Sequence, residues 1–128
     1  MDFASNPAAN TPASMPASAL FDAPLTWWRT HPPEAFDLSM QLRLRASLLA
    51  APVLPLHGWA AAIEADSAAA IGVAITVLSE GVARPNCLDR ALSVVLLCAA
   101  LGDPACHDLL VHALRRRARR RADLDALR

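Results

Sequence analysis

The sequence predicts a small all-α domain, a compact bundle of four or five helices behind a disordered N-terminal arm. Its helix pairs would also suit an α-solenoid fragment. Three observations carry that expectation. Residues 87–101, CLDRALSVVLLCAAL, are apolar on every side of a helix once Asp89, Arg90 and Ser93 are passed, so that helix must be buried. Much of the 55% hydrophobic content is alanine, which favours helix over strand. Gly102, Asp103 and Pro104 place a helix stop, an N-cap and a first helical position in succession, which makes a tight helical hairpin.

The 128 residues support one domain, large enough to fold without metals or disulfides. Residues 1–20 are mostly Ala, Ser, Pro, Asn and Thr and cannot bury enough apolar area to offset the entropy of ordering them, so they read as a disordered arm. The helical domain is expected over residues 21–121, with a C-terminal tail at 122–128.

An aromatic segment opens the domain, with Pro24 starting a helical turn and Pro32 and Pro33 ending it. Trp27 and Trp28 lie about 100° apart on a helix, so one should pack on the core and the other at its edge. They are either a lid over the helices or an anchor for a partner, a role in which Trp is favoured. Residues 36–48 then alternate apolar and polar side chains, a strand signal taken alone. Their Leu, Met, Gln, Arg and Ala content and the lack of any β-branched residue argue for a helix, opened by Pro33 and Glu34. That helix has two apolar stripes, Phe36/Met40/Leu44/Leu48 and Leu38/Leu42/Ala46. The second stripe hints at a dimer or partner surface.

Pro52 and Pro55 break the chain again. Residues 57–80 read as one long helix or two short ones, with Asp66 or Ser67 able to cap a restart. In the second half Ile71, Ile75 and Leu78 fall on one side, while Ala68, Gly72 and Thr76 offer a low-relief face suited to close helix packing. Gly81 is a natural stop, and Pro85 and Asn86 lead into the central helix.

The net charge of zero conceals a segregation: residues 1–114 carry −5 and residues 115–128 carry +5, all twelve cations being Arg. Arg115, Arg116, Arg117, Arg119, Arg120 and Arg121 are the candidate anion-binding residues, and they are either solvated or docked on the acidic body, or they meet nucleic acid, an acidic protein or a membrane surface. The cluster sits at the far end of its helix, not at the entry where recognition helices read bases, so a helix-turn-helix reading is weak. Three cysteines, Cys87, Cys98 and Cys106, cannot all pair within one chain and read as free thiols in a reducing compartment. His107 and His112 are five apart and share no helical face, so no metal site is expected.

No secretory signal opens the chain and its longest apolar runs are too short to span a bilayer, so a cytoplasmic protein without a membrane span is expected. There is no phosphate loop, cofactor motif or assembled nucleophile and base, so neither an enzyme nor a cofactor is expected. The function expected is a non-enzymatic protein-protein interaction module of the adaptor, chaperone-like or regulatory-subunit kind. Its partner is another protein or a second copy, and Trp27, Trp28, Leu38 and Leu42 are the candidate contact residues. The competing expectation is a nucleic-acid-associated protein that uses the Arg cluster.

Overall fold

The computed structural model describes residues 24–80 and 85–127. The expected arm at residues 1–20 and the expected stop at Gly81 lie outside the described residues. Among the described residues every regular element is helical: 3-10 turns at Pro24–Arg29 and Pro33–Ala35, then α1 (Leu38–Ala50), α2 (Trp59–Ile63), α3 (Ser67–Ser79), α4 (Pro85–Ala100) and α5 (Pro104–Ala126).

The helix that is apolar all round is the centre of the bundle. Every residue from 91 to 99 is buried, and α4 packs against α1, α3, α5 and both 3-10 turns. Ser93, the one polar residue of that buried run, donates its hydroxyl to the Leu25 carbonyl at 3.0 Å, so its burial leaves no unpaired group.

The α4–α5 hairpin forms as the local chemistry dictates. Gly102 adopts φ 107°, the left-handed conformation that closes a Schellman turn. The Asp103 amide bonds the Cys98 carbonyl and the Gly102 amide that of Ala99. Asp103 then caps α5, accepting from the amides of Ala105 and Cys106 at 2.9 and 3.2 Å. Residues 57–80 resolve into two helices. A second Schellman turn separates them, with the left-handed position taken by Ala65 at φ 68° and Asp66 capping α3 through the Ala69 amide.

Several expectations need correction. α1 begins at Leu38, not at Pro33: Phe36 is extended, Asp37 caps the Met40 amide at 2.8 Å, and Pro33–Ala35 forms a separate turn. Both tryptophans are buried, because the Pro24–Arg29 turn is wedged between α1 and α4 and each indole finds a wall of its own. On α3 the buried side is Ala70, Val73, Ala74 and Val77, while Ala68, Gly72, Ile75 and Thr76 face solvent. With apolar residues all around that helix, Ala and Val rather than the larger Ile side chains fill the position where it crosses α4. α5 itself continues through the Arg cluster to Ala126.

Candidate functional site

The four residues predicted to meet a partner separate into two pairs. Trp27 packs edge-on against Phe36 with ring centroids 5.7 Å apart, and the Arg43 guanidinium lies over its ring at 5.1 Å. Trp28 points the other way and donates its indole N–H to Asp89 Oδ1 at 2.9 Å, while Arg29 reaches the same oxygen at 2.7 Å. Each indole is only 2% exposed, which leaves no more than an edge of either ring accessible from outside. Leu38 and Leu42 are 69% and 58% exposed.

These two leucines belong to a larger face. Successive helical residues turn by about 100°, which places Leu38, Leu42 and Leu49 within about 40° of arc, turned about 120° away from the buried Leu44 and Leu48. Arg45, between them, is held by both carboxylate oxygens of Glu64 at 3.0 Å. Beyond Leu49 the face runs into an open groove of about 710 Å³, bounded by Val53, Pro55, Leu56, Ala60 and Ile63 with Trp59 in its floor. The Trp59 indole nitrogen is buried with no hydrogen-bond partner. Trp59 and Val53 escaped the sequence reading, because the groove they line exists only once α2 folds back beside the end of α1.

The six arginines also divide. Arg116 and Arg117 are half-buried, whereas Arg115, Arg119, Arg120 and Arg121 are exposed. Arg116 donates to the Leu78 carbonyl at 2.9 Å and so ties α5 to the end of α3. A half-open cavity of about 260 Å³ lies beside it, with Trp28, Leu78, Leu88, Leu92, Ala113 and Leu124 as apolar wall. Arg29, Arg116, Arg117, Arg120 and Arg121 complete the lining, and among the described residues no acidic side chain joins them. Burial, first, and the charges of Arg29 and Arg121 lower the Arg117 pKa, with Asp89 acting the opposite way.

Where α3, α4 and α5 meet, Cys98 and Cys106 are buried beside Ser67 and Asp103. Burial raises the Cys98 thiol above its ordinary 9.0 and pushes Cys106 up to about 12. Hydrogen bonds from Ser67, first, and from the Cys106 amide hold the Asp103 carboxyl below its ordinary range. Such thiols stay protonated and are poor nucleophiles. On the other side of the Trp turn, His107 Nε2 lies 3.1 Å from Glu34 Oε1 at an exposed site, and no nucleophile is in hydrogen-bond contact with either. Among the described residues no three His, Cys, Asp or Glu side chains gather as a metal site would require, and no helix is long and apolar enough to cross a membrane.

Comparison of the chain with family models, with curated proteins and with solved structures gives no match in any of the three.

Proposed function

We propose that the protein is a non-enzymatic interaction module, of the adaptor or regulatory-subunit kind, that pairs with a second copy of itself along the exposed face of α1. The observation that carries this reading is the continuity of Leu38, Leu42 and Leu49 with the groove over Trp59, an apolar track where a surface helix normally presents polar residues. From Leu38 to Leu49 the track is about 16 Å long at 1.5 Å per residue, enough to take an antiparallel helix of equal length. A two-fold axis through such a face brings the same residues together from both copies, which is how most homodimers close.

The test is the solution mass by light scattering at low and high salt. The proposal expects a dimer at both, since apolar contact is not screened, and a folded monomer for Leu38→Ser/Leu42→Ser, with helical circular dichroism unchanged and a melting temperature that no longer rises with protein concentration as the wild type's does. A wild-type monomer at both salts removes self-pairing. A dimer that dissolves in salt would assign assembly to the acidic body and basic helix end instead.

A second reading, nonspecific contact with nucleic acid, is favoured by the exposure of every residue from 118 to 127, which includes Arg119, Arg120 and Arg121. It requires binding to DNA or RNA that weakens steeply with salt through counterion release. Absence of such binding in the wild type removes it.

A further inference from the structure

We propose that the cavity between α4, α5 and the Trp turn is a binding site for a small anionic amphiphile, a hydrocarbon body carrying a carboxylate or phosphate head. The lining divides into the two halves such a molecule needs. Leu88 and Leu92 of α4 and Leu78 at the end of α3 offer an apolar floor, and the Trp28 indole forms a wall. Arginines from two separate elements, Arg29 on the Trp turn and Arg117 and Arg120 on α5, complete the lining. A simple solvated cationic helix would turn these groups away from the body and would not share them with a leucine-lined hollow.

The size is appropriate to a small ligand. A dry apolar cavity of about 150 Å³ takes a benzene ring, and the present one, at about 260 Å³ and open on one side, has room for an eight- to ten-carbon chain entering tail first. Charge points the same way. Asp89, which accepts from the Trp28 indole and Arg29 through one oxygen, also acts on Arg117, but among the described residues this single carboxylate stands against five arginines in the lining. Arg117 is half-buried and lines the cavity together with Arg29 and Arg121, so an oxyanion there meets guanidinium groups from two elements. The planar guanidinium fork matches carboxylate and phosphate alike. An alcohol of equal length would keep the apolar contacts and lose the head.

Isothermal titration of the full chain with decanoate, below its micelle concentration, tests this, with Trp fluorescence followed in parallel because Trp28 forms a wall. The expected result is one site per chain. Its affinity falls at least tenfold for decanol, at least tenfold for Arg117→Gln/Arg120→Gln, and several-fold for Leu124→Gln, an exposed position whose replacement spares the core. Melting curves of both variants establish that they fold. Decanoate binding unchanged in the arginine pair overturns the proposal, as does inorganic phosphate competing as well as decyl phosphate, which would make the site a bare anion patch. Binding to phosphatidylglycerol vesicles with none to monomeric decanoate likewise overturns it in favour of a surface that meets lipid headgroups.

Discussion

Replacing Trp28 separates a lid from a surface anchor. Trp28 is 2% exposed and contributes both packing against α4 and one of the two donors to Asp89 Oδ1. Truncating a fully buried Trp to Ala costs about 3–5 kcal/mol, against a total stability of about 5–15 kcal/mol for a domain of this size. Because about 1 kcal/mol moves the midpoint of such a domain by 4–8 °C, Trp28→Ala should melt at least about 12 °C below wild type. Trp28→Phe keeps most of the ring volume and deletes the bond to the carboxylate, so it should cost about 1.5–3 kcal/mol. The gap between the two variants is then the packing share. Urea unfolding followed by far-UV circular dichroism gives both numbers, provided that the slope with denaturant is unchanged. A Trp28→Ala protein within about 0.5 kcal/mol of wild type would refute the lid and return the indole to the list of contact groups.

Two further predictions concern the α2–α3 joint and the buried thiols. Ala65 at φ 68° occupies a position that costs an L-residue about 1–2 kcal/mol, so Ala65→Gly should raise the urea midpoint despite the looser unfolded chain, and a lowered midpoint would mean the turn is not strained. With disulfide-exchange reagents at neutral pH, half-buried Cys87 should react fast and Cys98 and Cys106 only as fast as the fold opens. The Cys106 pKa is raised in the folded state, so its stabilisation is complete below the ordinary 9.0 and is lost as pH climbs towards about 12. Over that window urea-derived stability should fall by about 1.4 kcal/mol per pH unit for that thiol, and a flat profile would show that the thiol ionises as easily folded as unfolded.

The parts of the fold legible in the sequence are those decided within one turn of chain. Gly102, Asp103 and Pro104 each act on the backbone next to them, so the hairpin between α4 and α5 could be read directly. The burial of α4 was equally plain, because a helix with no polar side leaves no choice of face. Where a helix has a choice, the sequence stops short. α3 is apolar on nearly every side, and nothing local says that Ala70 and Ala74 rather than Ile71 and Ile75 should meet α4. That depends on how closely the two backbones approach. The same limit hid the wedge of the Pro24–Arg29 turn, where adjacent indoles are both buried because two different helices receive them.

Of the candidate surfaces, the α1 track was legible as an unassigned second stripe, and the structure leaves Leu38 and Leu42 on the outside. Its continuation over Trp59 depends on the fold-back of α2. The Arg cluster shows what composition conceals and phase reveals. Seven basic residues in the last fourteen read as a charged end of unknown direction. Extended past Arg115, however, the inward stripe of α5 runs Cys106, Leu110, Ala113, Arg117, Arg120 or Arg121, Leu124, with steps of three or four residues throughout. The spacing of a buried face thus persists where its chemistry changes from methyl groups to guanidinium. Arginine stems bury along apolar surface while their heads stay at the rim, so a helix in that register builds a hollow with a greasy floor and a cationic mouth. A run of arginines out of that phase would have the same charge and no cavity, and the affinity of Arg117→Gln/Arg120→Gln measured against that of Arg115→Gln/Arg119→Gln would distinguish position from charge.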